Sequence, residues 1–275
     1  MIHFSKKTAT LSLALAAITL FSGCATTTSP EARSAYDKTQ QSLKSQPVSI
    51  VSDGCLIRVE MGKNDILYQQ SDATSVAMMH TVEEALVEKG LRVTRTTAPF
   101  VCGTQTKEVL TKMDILTTAD SKDVLNTDYP ILSADNTFDG LTNQAYLNLF
   151  QALDSDTRKM AEKSKGASVD LGLDKNSLDL IRKLEDTDKV FVSMVTGSKP
   201  SFGYSMAMGV TTAVATGGTG FATPKTGQVH GLYLVNLKTN QIEMGKETPF
   251  ATQVFKMPIQ ERLAYKGLLA PLYDN

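Results

Sequence analysis

The chain has 275 residues, with 28 basic and 29 acidic side chains and a formal net charge of −1 at pH 7, and its basic residues form no long run. Nucleic-acid binding driven by counterion release needs a basic surface, so the composition excludes that function class. Apolar residues make up 41% of the chain and no long low-complexity tract is present, which predicts a globular body rather than a disordered one.

The amino-terminal stretch has the pattern of an export signal. Lys6 and Lys7 form a short basic start, residues 8–21 carry no charge, and Ser22 and Gly23 lead into a cysteine. This order predicts a secretory signal peptide, and its apolar run of about 14 residues is too short to span a bilayer stably as a helix. An ordinary signal peptide that ends near a cysteine, or a first helix of the fold, are the alternatives.

The position of Cys24 directly after Ser-Gly resembles the signal of bacterial lipoproteins. That resemblance implies removal of residues 1–23, acylation of the Cys24 thiol by palmitate-type chains, and attachment to a membrane through this lipid anchor. Phe21 departs from the family, which more often has Leu there. Ala25, where retained lipoproteins have Asp, resembles those sent to the outer membrane. The implied address is the inner leaflet of that membrane, facing the periplasm.

Two further cysteines, Cys55 and Cys102, remain once Cys24 carries lipid. An even number of cysteines in an oxidising compartment predicts a disulfide, which closes a loop of about 47 residues and contributes roughly 4 kcal/mol in the chain-entropy description. Two free buried thiols are the alternative. His80 and His230 stand at no ligand spacing, so we predict neither a metal site nor a cofactor.

Residues 24–46 are polar and have few apolar side chains, which predicts a flexible tether that carries the lipidated Cys24. Its r.m.s. reach is roughly 25 Å if it is flexible. A weak helix over Glu31–Leu43 is an alternative within it. We predict that residues 47–275 form a single α/β domain.

The domain is predicted to begin with a strand–helix–strand unit. Val48–Val51 and Cys55–Met61 are short β-rich runs, and the Ser-Asp-Gly between them is typical of a turn. Apolar residues three to four apart predict a helix from Ser71 or Asp72 to about Lys89, which Gly90 is placed to end. Leu91–Thr96 follows as a strand.

An irregular, partly helical insertion is predicted at about residues 103–175, with a helix from Leu141 to about Lys165 that breaks near Asp154. Polar and small residues dominate 117–140, which is typical of a long surface loop. A further helix is predicted to begin at Asn176 or Ser177.

The carboxyl-terminal third predicts a sheet core. Val190–Thr196 is an apolar run typical of a buried strand, and Val229–Leu237 with Gln241–Glu247 predicts a hairpin whose turn needs a positive φ at Asn240. A final helix is expected after Pro258, with Pro271 ending it. The whole pattern predicts an α+β fold, an α/β sandwich in which a mixed sheet has its helices packed mainly on one face.

Residues 201–220 contain no charged side chain, and this segment fits two periods. At spacing four Phe202, Met206 and Val210 share a helical stripe, whereas at spacing two Tyr204 and Met208 join them on one face of a strand. A charge-free crossover of this size needs to be buried, so we name as a candidate contact segment Phe202, Tyr204, Met206, Met208 and Val210. Packing on the chain's own sheet and a membrane-spanning hairpin are the alternatives.

A second resemblance rests on the strand Lys189–Ser193 and on the later run Gly231–Gly245, which together are similar to a pattern in envelope lipoproteins. Asn236, Asn240 and Met244 depart from that pattern. With the upstream strand–helix–strand unit, the chain resembles the α/β domain of curli-export lipoproteins, the TolB amino-terminal domain and penicillin-binding-protein activator lipoproteins. The resemblance implies an assembly or adaptor module with no catalytic residues.

Catalytic patterns are weak. The Gly-Gly-Thr-Gly at 217–220 with Lys225 lacks the phosphate-loop spacing, and Ser193 sits in no nucleophile elbow. His80 and His230 are expected at the surface or the edge of the core. We therefore expect no enzyme but an adaptor that binds envelope proteins or self-associates. A periplasmic small-ligand or peptidoglycan-binding module and a lipid-anchored enzyme are the alternatives.

Overall fold

A computed structural model describes residues 30–60, 63–105, 107–117, 132–133, 138–162, 168–201, 227–250 and 264–273. The strands are β1 (Val48–Glu60), β2 (Lys63–Leu67), β3 (Val93–Thr96), β4 (Phe100–Val101), β5 (Asp114–Leu116), β6 (Leu132–Ser133), β7 (Val169–Asp170), β8 (Lys189–Pro200), β9 (Gly227–Asn236) and β10 (Gln241–Phe250). The helices are α1 (Pro30–Ser45), α2 (Tyr68–Glu88), α3 (Lys107–Leu110), α4 (Gly140–Glu162), α5 (Lys175–Glu185) and α6 (Ala270–Tyr273), the last preceded by a 3₁₀ helix (Ala264–Leu269).

These strands form one mixed sheet whose main path runs β5-β2-β1-β8-β9-β10-β7, with β3 and β4 paired to β1 and β6 paired to β4. Strand β1 is parallel to β8 on one side, and on the other side it pairs in succession with β3, β4 and β2, of which only β2 is antiparallel. Strands β8, β9 and β10 continue as an antiparallel meander. The predicted α+β class with a mixed sheet is confirmed.

Helices cover both faces of the sheet, whereas we expected them mainly on one. Val190 and Val192 of β8 pack with α4 and α5, and the alternate residues Phe191 and Val195 pack with α1, α2 and α6. A strand buried on both faces is apolar at nearly every position, and this is why β8 shows a continuous apolar run without alternation. That run alone does not reveal how many layers cover the strand.

Strand β1 is continuous, so the turn predicted at residues 52–54 is wrong. It pairs with β8 without interruption from Ser49 to Val59. Gly54 serves a close contact instead of a turn, because the carbonyl oxygen of Ser71 in α2 lies where a Cβ would be. Asp53 is also inside the strand and is fully buried. Tertiary packing therefore overrides the local turn signal.

The flexible tether predicted for residues 24–46 is wrong from Pro30 onward, because α1 belongs to the folded body. Its Ala32, Tyr36 and Leu43 are 3%, 7% and 1% exposed. The guanidinium of Arg33 donates to the carbonyl oxygen of Leu272 at 3.3 Å. The few apolar residues of this stretch fall on one helical face, and that face has a surface to pack on. Residues 24–29 lie outside the described ranges.

Helix α2 and strand β3 confirm the predicted helix–strand succession. The helix begins at Tyr68, a few residues earlier than expected, and no side chain caps it. Instead the Ser71 hydroxyl donates to the Leu67 carbonyl and accepts from the Leu56 N–H, each at 2.8 Å, which fixes the first turn of α2 to β1. Gly90 follows the helix with φ +78°, as its predicted role requires.

The hairpin of β9 and β10 and the start of α5 also follow the sequence closely. Asn240 has φ +55° in the turn, as predicted. Helix α5 is capped by Asp174, whose carboxylate accepts from the Ser177 N–H at 3.0 Å. Asp186 ends the helix in the left-handed conformation, with φ +51°.

The described parts of the insertion at 103–175 are partly helical, as expected, but one detail there differs from the prediction, and so does the position of Pro271 near the carboxyl terminus. Helix α4 continues through Asp154 without the predicted break. Pro271 lies inside α6 and does not end a helix. It occupies the first turn, where a backbone N–H has no intrahelical acceptor, so proline costs little there. Residues 258–263 lie outside the described part.

We predict that Gly54→Ala lowers the free energy of unfolding by about 1–3 kcal/mol, because the new methyl group collides with backbone atoms of Ser71 that cannot move without shifting α2. Urea denaturation measures this loss. The matched control is Gly140→Ala at the start of α4, where nothing lies within 4 Å of the added Cβ, and we expect less than about 0.5 kcal/mol. Equal stability of both variants would contradict the close contact.

Candidate functional site

The predicted disulfide between Cys55 and Cys102 is confirmed. The Cα atoms are 4.4 Å apart, and both residues are essentially fully buried. Cys55 lies in β1, and Cys102 directly follows β4, which runs parallel beside it. The N–H of Cys102 also donates to the Gly54 carbonyl at 3.0 Å. The bond therefore fixes the exit of β4 to the central strand.

A buried carboxyl group lies beside this disulfide. Asp53 is 0% exposed, and its Oδ1 accepts a hydrogen bond from the N–H of Gly103 at 2.8 Å. Its Oδ2 has no hydrogen-bond partner in the described part of the chain. Burial raises the pKa of Asp53 to about 7, although the N–H groups of Gly103 and Thr104 act to lower it. The carboxyl group thus holds the loop that follows Cys102.

That loop is confined from its other side as well. Cys102 takes a left-handed φ of +57°, and any Cβ at Gly103 would collide with the ring of Phe150 in α4. Phe150 in turn packs edge-on against Phe100 of β4, with ring centroids 5.2 Å apart. Residues 102–104 are therefore held between a carboxyl group of the sheet and an aromatic cluster.

A serine and a histidine meet on the opposite face. Ser193 Oγ lies 2.9 Å from His230 Nε2, and both residues are 0% exposed. The expected surface or core-edge position of His230 is therefore wrong, whereas His80 is exposed as expected. Burial lowers the pKa of His230 to about 3, so its imidazole is neutral at physiological pH.

This pair continues a row of polar side chains across the sheet. Ser52 of β1 pairs with Ser193 in the β1–β8 register, and its hydroxyl lies 2.8 Å from that of Ser75 in α2. A serine bonded to a neutral imidazole is the geometry of a nucleophile and its base. However, neither Ser193 nor His230 is exposed to a substrate. In this arrangement the hydrogen bonds satisfy polar groups between helix and sheet.

A second polar contact joins the helices of the other layer. Glu185 at the end of α5 is fully buried, and it accepts hydrogen bonds from the hydroxyl of Tyr146 in α4 and, at 2.5 Å, from that of Thr97 after β3. Burial, followed by the nearby Glu185 carboxylate, raises the pKa of Tyr146. The three side chains tie two helices to a loop at the start of the central strands.

One partly buried ion pair joins the meander. Lys189 at the start of β8 is 3% exposed and pairs with Glu243 of β10. Glu243 also accepts from the amide of Asn236 in β9 at 2.7 Å. A buried cation needs such a partner, so this pair fixes the ends of three strands together.

Two surface clefts are lined partly by charged side chains. One, of about 430 Å³, is lined by Gln46, Pro47, Arg182, Lys183, Asp186, Thr187 and Asp188. The other, of about 440 Å³, is lined by Glu60, Lys63, Asn64, Val109, Lys112 and Met113. In each, a cation is already paired, Arg182 with Asp188 and Lys63 with Asp114. The buried titratable residues Asp53, Glu185 and His230 line neither cleft.

The remaining predicted site residues are not in the described ranges. They are Cys24 and the candidate contact segment with Phe202, Tyr204, Met206, Met208 and Val210. Within the described residues, no group of His, Cys, Asp and Glu has a metal-binding arrangement. No described helix combines the length and hydrophobicity that a membrane span requires.

Comparison with known proteins adds no assignment. The chain matches no protein-family description, no curated protein and no solved structure at a significant level.

We predict that replacing both Cys55 and Cys102 by Ala lowers the free energy of unfolding by about 4 kcal/mol, because the unfolded chain regains the entropy of a 47-residue loop. Urea denaturation with and without reductant measures this. Reductant should shift the midpoint of the wild-type protein toward that of the double variant and leave the variant unchanged. The reductant must be present while the chains are unfolded, so that it can reach the buried bond. A wild-type midpoint that stays unchanged under these conditions would contradict a stabilising disulfide.

We predict a pH-dependent stability that Asp53→Asn removes. The folded-state pKa of Asp53 is raised from 3.8 to about 7, so the folded protein binds this proton more tightly than the unfolded chain does. The resulting stabilisation is complete below about pH 4 and is lost as the pH rises through 7. The difference in unfolding free energy between wild type and variant should therefore change by up to about 4 kcal/mol across this window.

The measurement is a series of urea denaturations of both proteins between pH 4 and pH 8. The variant is a matched control because the Asn side-chain oxygen can still accept from the Gly103 N–H, while its amide does not titrate. A difference that stays constant with pH would show that Asp53 does not carry the proton.

Proposed function

We propose that this chain is a lipid-anchored lipoprotein of the bacterial envelope that faces the periplasm and acts as a non-catalytic assembly or adaptor module. The distribution of its three cysteines carries the proposal. Cys55 and Cys102 are joined in a buried disulfide, which suits an oxidising compartment. The remaining one, Cys24, stands at the end of a signal-like stretch.

The contacts of the buried titratable groups support a non-catalytic role. Asp53 holds a loop, and Glu185 joins two helices. His230 forms a hydrogen bond with the hydroxyl of Ser193 between the sheet and a helix. A catalytic centre needs such groups to converge where a substrate can reach them. In the described part of the chain each of the three lies at 0% exposure and on a different packing contact.

A free sheet edge supports the adaptor role. Strand β7 pairs only with Gln241 and Ile242 of β10, so among the described residues Glu243–Phe250 have no strand on their outer side. Pro249 and an irregular register near Met244 are features that keep an edge from pairing indiscriminately. Lys246 on the same strand donates to the Gly267 carbonyl of the 3₁₀ helix at 2.8 Å. Such an edge remains available to a specific partner.

Exposed apolar side chains offer less support, because the described residues contain no extended patch. The large apolar side chains that are exposed are Val87, Leu141 and Val229, and they lie on three different elements. Single exposed apolar residues are ordinary on protein surfaces. For that reason the edge of β10 is our candidate for partner contact.

The lipid anchor is tested with Cys24→Ser. In cells fed a labelled fatty acid we expect the wild-type protein to carry label and to fractionate with membranes, and the variant to lose both, because the thiol that accepts the acyl chain is gone. Ser34→Ala on the exposed side of α1 is the control and should keep label and location. Label that persists in Cys24→Ser would refute the anchor.

The adaptor role is tested with photoreactive benzoylphenylalanine placed at exposed positions in cells. Pro249→benzoylphenylalanine on the β10 edge should give discrete adducts with another envelope protein or a second copy, and Val87→benzoylphenylalanine on α2 should give few. Equal yields of adducts at both positions would contradict a partner site at the edge of β10. Co-sedimentation of the purified protein with peptidoglycan sacculi would favour the alternative of a peptidoglycan-binding module.

A further inference from the structure

We infer that the protein holds one end of its folded body against the phospholipid headgroups of the leaflet that anchors it. This anchor-side surface consists of the first turn of α1, helix α6 and the residue that follows α2, Lys89. The inference rests on the proposed acylation of Cys24. It adds the orientation of the body, which the anchor alone does not determine.

Helix α1 is a fixed part of the body along its whole length. Tyr36 and Leu43 belong to the core cluster that covers one face of the sheet. Near the amino-terminal end, Ala32 is 3% exposed and Arg33 donates to the Leu272 carbonyl at 3.3 Å. A helix packed at both ends cannot swing as a tether, so Pro30 moves with the domain.

The chain between the anchor and this helix is short. Six residue steps separate Cys24 from Pro30, and a fully extended chain covers at most about 3.3–3.6 Å per residue. Pro30 therefore lies no more than roughly 20 Å from the acylated cysteine. An anchored body on so short a connection cannot leave the leaflet, and the part of it nearest to Pro30 is the part nearest to the lipid.

The side chains near Pro30 suit a headgroup region. Helix α6 contacts α1 through Leu272, and the next residue, Tyr273, is half-buried. The ammonium group of Lys89 lies 5.0 Å from the centre of the Tyr273 ring. Lysine combines an apolar stem with a cationic end, which favours the exposed Lys89 at a membrane–water interface. The Tyr273 hydroxyl is itself buried, so this tyrosine contributes the ring beneath Lys89 and not a polar end.

The opposite layer of the domain faces away. Helix α4 packs on the other face of the sheet from α1, and Leu141 in its first turn is 76% exposed. In this orientation α4 and α5 are directed toward the aqueous compartment. The edge of β10 stays at the side of the body.

The test uses the absence of tryptophan from the natural chain, which makes one introduced Trp a specific probe. Lipidated full-length protein carrying Glu31→Trp at the exposed start of α1, or Leu141→Trp at the exposed start of α4, is reconstituted in phosphatidylethanolamine–phosphatidylglycerol vesicles. Part of the lipid carries a nitroxide on its headgroup. We expect the fluorescence of Glu31→Trp to be quenched at least three-fold more than that of Leu141→Trp.

A linker variant separates orientation from mere attachment. Twenty Gly and Ser residues inserted between Thr28 and Ser29 raise the r.m.s. reach to roughly 25–30 Å, and the difference in quenching should then fall to near zero. Acylation of each preparation is verified by mass spectrometry. A chain that is never acylated at Cys24 overturns the proposed anchor, whereas acylated protein with equal quenching at both positions overturns the orientation alone.

Discussion

The structure depends on strand β1 being paired along both edges and packed on both faces. From Ser49 to Val59 it bonds to β8 on one side, and on the other side three short strands take its hydrogen bonds in turn. Helix α2 can approach it closely only because residue 54 has no side chain. The disulfide, the Asp53 carboxyl and the serine row all start from this strand, so its continuity places these three sets of buried groups.

Burial of those polar groups costs free energy, and each of them holds a neighbouring element of the fold in place. An unpaired buried carboxyl or imidazole costs several kcal/mol, and hydrogen bonding recovers most of that cost. Asp53, Glu185 and His230 each bond to a different element of the chain: a loop, a helix with a loop, and a strand. Because these three side chains are fully buried, solvent does not reach them, and their hydrogen bonds hold neighbouring elements in place. This arrangement of the described groups supports the proposed non-catalytic role.

The sequence predicts what is local and misses what packing decides. Strand β8, the hairpin with its positive φ at Asn240 and the end of α2 at Gly90 follow from short patterns, and so does the pairing of the cysteines. The continuity of β1 does not, because Asp and Gly are typical turn residues and only the neighbour across the sheet shows otherwise. Helix α1 follows from the sequence only as an alternative to a flexible tether, because its few apolar residues form a buried face only when another surface packs against them. The burial of His230 is predictable from the sequence, because His230 shares one face of β9 with Leu232 and Leu234, and both leucines are buried.

The disulfide also bears on how the chain of the proposed lipoprotein oxidises after export. A protein with three free cysteines can form a wrong bond that must later be exchanged. If Cys24 is acylated before the domain folds, Cys55 has one possible partner, and that partner arrives beside it when β4 docks next to β1. Such a chain needs an oxidant but no isomerase. Lipid attachment would then act as a protecting group for the correct pairing, in addition to its service as an anchor.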